Sequence, residues 1–78
     1  MTTPGTGQEL AATERRLRSA LAAAPQSARL HDELGIVLAR QKRSPEALRL
    51  FERALQLDPA NGLARENLDV LGASPAKP

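Results

Sequence analysis

The feature that most constrains this chain is that it partly repeats itself at an offset of 34 residues. Leu17 aligns with Phe51, Ala20 with Ala54, Leu21 with Leu55, Pro25 with Pro59, Ala28 with Gly62 and Leu34 with Leu68. A period of this length denotes paired helices stacked on neighbouring pairs of the same kind. One such unit cannot bury its own apolar face, so neighbours cover that face and the remaining surface is offered to a partner. The expected role is binding, not catalysis.

Composition narrows the reading further. At 78 residues the chain is one small domain at most, and a domain of this size buries only about 60% of the surface its unfolded form exposes. There is no cysteine and one histidine, so neither a disulfide framework nor a thiolate ligand is available, and no metal or cofactor is expected. The apolar residues are almost all Ala, Leu and Val, with one Phe and neither Trp nor Tyr, which is a helix-forming vocabulary. Eleven basic residues stand against nine acidic ones, a formal net charge of +2. The two signs alternate closely, as on solvated helix faces laced with ion pairs. The opening MTTPGTGQEL carries neither a basic nor an apolar signal region, and no apolar run approaches the ~18 residues of a membrane span. The expected setting is cytoplasmic.

Four helical patterns are visible between Pro- and Gly-containing ends. Residues 1–7 and 73–78 have no apolar period and read as frayed tails, with Gly72 placed to end the last helix. The domain is therefore expected over 8–71, with tails at 1–7 and 72–78. A first helix over 8–23 aligns Leu10, Thr13, Leu17, Ala20 and Leu21, with Glu14, Arg15, Arg16 and Arg18 on its other face. A second over 28–42 turns Leu30, Leu34, Val37 and Leu38 inward, with His31 beside them, and its closing cations suit the helix macrodipole. Ser44-Pro45 reads as a cap and first turn, opening a third helix whose stripe is Ala47, Leu50, Phe51, Ala54, Leu55 and Leu57. Asp58-Pro59 stops it. Asn61 caps a fourth, over 62–71, with Leu63, Leu68 and Leu71 on its apolar side.

The residues Leu34-Gly35, Leu38, Ala47, Phe51, Ala54 and Pro59 resemble the signature of the tetratricopeptide repeat family. The resemblance covers one full repeat over 28–61, flanked by what looks like the second helix of a preceding repeat and the first of a following one. Small residues at 35, 47 and 54 are what close helix approach requires. Three positions depart from the pattern: His31 stands where the family often has Trp, Thr13 where a small Ala is expected, and Asp69 where the last copy would repeat Gly35. Asp69 fits a helix that caps the stack, because a capping face meets water.

The resemblance implies an all-α fold of antiparallel hairpins stacked as a minimal four-helix solenoid, with a concave side lined by the first helix of each repeat. By carry-over that side holds Arg29, Asp32, Ile36 and Arg40, joined by Glu66 and Asn67. The implied function is a non-catalytic adaptor or scaffold that binds a peptide or helix of another protein. A clamp for a chaperone's C-terminal carboxylate would carry Lys and Asn where this chain has Asp32 and Ile36, so that ligand is not expected. The rival reading is a self-assembling homo-oligomer, with Leu10, Leu17, Leu63 and Leu71 as contacts between copies.

Other chemistries find little support. Asp32 and Glu33 are adjacent, so they point about 100° apart on a helix and do not form a catalytic carboxylate pair. His31 has no companion nucleophile or orienting base, and it reads as a packing residue. Ser19, Ser27 and Ser44 sit in no nucleophile motif, and Gly5 and Gly7 follow no strand. Arg15, Arg16, Arg18, Arg40, Lys42 and Arg43 form two basic clusters that could attract nucleic acid. Without exposed aromatic residues there is no stacking platform for single strands, so nucleic acid is the weakest of the three binding readings.

Overall fold

The computed structural model describes residues 7–72. They form four helices, α1 (Gly7–Ala23), α2 (Ala28–Arg40), α3 (Ser44–Leu57) and α4 (Gly62–Gly72), joined by short turns that fold successive helices back on one another. The terminal tails expected from sequence lie outside the described residues, except that Gly7 opens α1 and Gly72 is the last helical residue of α4. The helices stack in chain order. α2 packs most extensively on α3, α1 lies against α2, and α4 rests on α3 while touching α2. α1 and α4 do not meet, the arrangement of a solenoid and not of a closed bundle.

Local chemistry accounts for each boundary. Ser27 caps α2, its Oγ accepting the Leu30 amide at 3.1 Å. Its carbonyl oxygen lies 2.8 Å from His31 Nδ1; a carbonyl only accepts, so the ring nitrogen donates and the histidine closes the first turn. α2 ends at Arg40, two residues before the periodic pattern runs out. Lys42 adopts a left-handed φ of 63°, the Arg43 amide donates to Leu38 O at 2.9 Å and the Lys42 amide to Ala39 O at 3.0 Å. These are the paired bonds of a Schellman closure, whose left-handed position favours glycine. Lys42→Gly is therefore expected to raise stability by roughly 0.5–1 kcal/mol, since the left-handed penalty of a side-chain-bearing residue outweighs the added freedom of the unfolded glycine. A chemical denaturation midpoint unchanged or lowered in this variant would refute it.

The start of α3 differs from expectation. Ser44 is its first helical residue, and Arg43 occupies the cap position with no side-chain cap bond. Arg43 is engaged elsewhere: its guanidinium reaches Glu46 Oε1 at 2.7 Å, Gln41 Oε1 at 2.6 Å and Glu14 Oε1 at 2.9 Å. At the other end of α3, Asp58 Oδ1 accepts the Ala60 amide at 3.2 Å, a local turn that competes with helix continuation. Asn61 Oδ1 then accepts the Ala64 amide at 3.0 Å, the expected cap of α4.

The core sits in the α2–α3 hairpin, where Leu34, Leu38, Ala47 and Phe51 are buried together. Leu17 and Leu21 of α1 and Leu68 and Leu71 of α4 pack against this cluster from either side. Gly35 permits the close approach of the two central helices, because a Cβ built there would lie 2.6 Å from Phe51 Cε1. On α4 the inward place belongs to fully buried Ala64, whereas Leu63, expected on the apolar side, is 53% exposed. No residue of α1 is fully buried, since only one side of that helix is covered.

Glu14, expected on the outer face of α1, turns inward instead and ties α1 to the α2–α3 turn. It pairs with Arg18 and Arg43, each at 2.9 Å. Burial pushes its carboxyl up, but hydrogen bonds with Arg18, Gln41 and Arg43 outweigh this and hold it below its ordinary 4.5. A depressed carboxylate stabilises the fold above its unfolded pKa, and the contribution is lost as pH falls through the folded value. Stability should therefore decline as the pH drops below about 4.5, and Glu14→Gln should lower stability at pH 7 while making that acid decline shallower. Denaturation curves of both chains between pH 7 and 3 check this; parallel acid limbs would contradict it.

Candidate protein-interaction surface

The residues assigned to the concave side divide into three environments. Arg29, Arg40 and Glu66 are exposed, Ile36 and Asn67 are half-buried, and Asp32 is only 3% exposed. Arg29 pairs with Glu33 one turn later at 2.9 Å, an exposed pair worth little to stability. Asp32 and Asn67 are brought together: Asn67 Nδ2 donates to Asp32 Oδ1 at 3.3 Å, joining α2 to α4. Asp32 is thus a buried bridge between helices and not the open contact residue anticipated from sequence. Burial pushes its carboxyl above the ordinary range against the Asn67 hydrogen bond, and Glu33 adds to the rise.

Two clefts flank α2, and Ile36 lines both. One lies between α1 and α2, about 360 Å³ in volume, walled by Thr13, Arg16, Leu17, Glu33, Ile36 and Val37. The other, about 120 Å³, lies where α2, α3 and α4 meet, and its wall includes Ile36, Ala39, Asn67 and Val70. Val70 is 71% exposed and was not among the sequence-derived site residues. The self-alignment contained the signal, because Val70 stands 34 positions after Ile36 and takes the same place in the next unit. Its neighbour one helical face along, Leu63, lies seven residues earlier and is also exposed.

The residues proposed for contact between copies are less uniform than expected. Leu63 is open, but Leu17 and Leu71 pack against the core cluster, and Leu10 is half-buried. The basic clusters are likewise broken up, with Arg18 paired to Glu14 and Arg43 to Glu14 and Glu46. His31 is buried beside Ser27, and among the described residues no buried side-chain polar atom lacks a partner. No group of three or more His, Asp or Glu side chains among them could hold a metal ion. No described helix is long and apolar enough to cross a membrane.

The hairpin, its glycine contact and the 34-residue offset between α2 and α4 define a helical-repeat protein. Residues 28–61, which span α2 and α3, match the family model of the tetratricopeptide repeat, and single helices flank that stretch on either side. No curated protein and no solved structure matches the chain.

Proposed function

We propose that this chain is a cytoplasmic, non-catalytic protein-interaction module that binds a peptide or helix of another protein along α2 and α4. The observation that carries the reading is the apolar strip of Ile36, Ala39 and exposed Val70 on the first helices of successive units. Exposed Arg29, Arg40 and Glu66 supply polar residues on the same two helices. An apolar strip edged by charge is the anatomy of a recognition surface. Solenoids use the face formed by equivalent positions of stacked units in this way.

The test is capture of binding proteins on the immobilised chain, comparing wild type with an Arg29→Ala, Arg40→Ala double variant. Recovery of the bound protein should fall at least tenfold while the thermal melt stays in place, because neither arginine is buried. Equal recovery would remove this face from the reading.

Self-association is the second reading, favoured by Leu63 and Val70 lying on one face of α4 with 53% and 71% exposure. Light scattering over a dilution series separates the two. A constant mass near 8.4 kDa excludes self-association, whereas a dimer lost on Val70→Lys substitution supports it.

A further inference from the structure

The two clefts beside α2 are equivalent by the chain's internal repeat. Leu17, Glu33, Ile36 and Val37 of the first stand 34 positions before Phe51, Asn67, Val70 and Leu71 of the second. In the second cleft the remaining wall is α2 itself, through Ile36 and Ala39. The first has no such wall: no described helix stands to α1 as α2 stands to α3. The repeat geometry therefore specifies the shape of the absent occupant, a helix related to α2.

Charge and size specify its chemistry. Helix α4 of a second copy is the obvious occupant, since it is the 34-residue counterpart of α2, but it carries Asp69 where α2 has Gly35. At Gly35 even a Cβ would crowd the Phe51 ring at 2.6 Å, and in α1 the smaller Leu17 stands in that ring's place, which leaves room for a methyl group and not for a carboxylate. The facing helix α1 is no roomier at the adjoining place, with Thr13 where α3 has fully buried Ala47. Seating α4 there would bury the Asp69 carboxylate beside Leu17 with only the Thr13 hydroxyl facing it, one donor for two oxygens, which is unfavourable. Arg16 stands where α3 has Leu50. It lines the cleft, is exposed, and makes no ion pair among the described residues. In the α2–α3 hairpin, Leu50 shares a pocket with Leu38, so an incoming residue at Leu38's place would lie over the Arg16 guanidinium.

We propose that the cleft between α1 and α2 seats one amphipathic helix of a partner protein, with Gly or Ala at the place Gly35 takes in α2, aliphatic residues toward Ile36 and Val37, and a carboxylate facing Arg16. The site completes the half-formed unit begun by α1. It goes beyond the α2–α4 face, and Arg40, which tests that face, does not line it.

The probes are two synthetic peptides copied from residues 27–41 and held helical by a side-chain cross-link on the outer face. One carries Leu38→Glu, the other Leu38→Glu together with Gly35→Asp. Titrated into the isotopically labelled full chain, the first should bind at least tenfold more tightly than the second and shift the amide signals of Thr13, Leu17, Ile36 and Val37. Arg16→Glu in the chain should weaken the first peptide at least fivefold with no change in melting temperature. Equal affinity of the two peptides, no binding of either, or shifts confined to α4 would overturn the proposal. So would a concentration-dependent dimer abolished by Thr13→Arg, which would make a second copy the occupant.

Discussion

Phe51→Ala is expected to destabilise the domain by about 3–5 kcal/mol. Phe51 is 1% exposed, is the largest fully buried side chain, and lies in the cluster with Leu34, Leu38 and Ala47. Removing the ring forfeits its burial and leaves a void that these rigid helices fill only in part. A chain of 78 residues has a total stability of the order of 4–12 kcal/mol, so this one change removes a large share of it. The consequences should extend beyond α3, because Leu17 and Leu21 of α1 and Leu68 and Leu71 of α4 lean on the same cluster. Circular dichroism at 222 nm during urea titration would show the loss. A cost below about 1 kcal/mol would mean that the α2–α3 interface is far looser than its burial indicates.

Gly35→Ala is the second large effect, and it runs against helix propensity. Alanine in place of a mid-helix glycine ordinarily adds about 1 kcal/mol of stability. Here the added Cβ would fall 2.6 Å from Phe51 Cε1 and 2.9 Å from Cδ1 and Cζ. The ring must move or the hairpin must open, and overpacking of this kind typically costs about 1–3 kcal/mol. A net loss of roughly 1 kcal/mol is expected. Gly62→Ala is the control, since nothing lies within 4 Å of a Cβ built there, and it should be neutral or mildly stabilising. Phe51→Leu in the Gly35→Ala background should cost less than Phe51→Leu alone, because leucine removes two of the three crowding ring atoms. A double-mutant cycle measures this coupling, and strict additivity would show that the glycine is not there for the ring. The chain itself pairs a smaller residue at this place in α1, where Leu17 is the counterpart of Phe51.

The acid limb of the stability curve has two contributions of opposite sign. Glu14 is depressed by its partners, so its stabilisation is present above about pH 4.5 and disappears as the pH falls. Asp32 is raised by burial, so protonating it on the way down toward its ordinary 3.8 favours the folded state. The Glu14→Gln comparison isolates the first of these.

Much of the architecture was legible from local sequence. The 34-residue offset, the caps at Asn61 and the stop at Asp58-Pro59, and the small residues at 35, 47 and 54 place four helices and their turns within two residues of where they lie. These features are readable because helix periodicity, capping and proline stereochemistry depend on neighbours within one turn. The start of α3 was misread by one residue. Ser44 has the chemistry of a cap, but the helix begins on it and Arg43, held by Glu14 and Glu46, occupies the preceding position.

The fate of polar side chains was decided only by tertiary packing. Glu14 and Asp32 occupy helix positions that sequence assigns to open faces, yet each is drawn inward by a residue at least 29 positions away, Arg43 for the first and Asn67 for the second. Val70 and Leu63 read as ordinary apolar residues, yet they stay exposed because α4 has a neighbour on one side only. Sequence alone determined that the chain would form stacked helical hairpins with small residues at 35, 47 and 54 where the helices approach closely, since period and residue size dictate it. Which faces of those helices remain open, and hence where another protein can dock, was decided by the order in which the helices stack, because exposure depends on what lies across the interface and not on the residue itself.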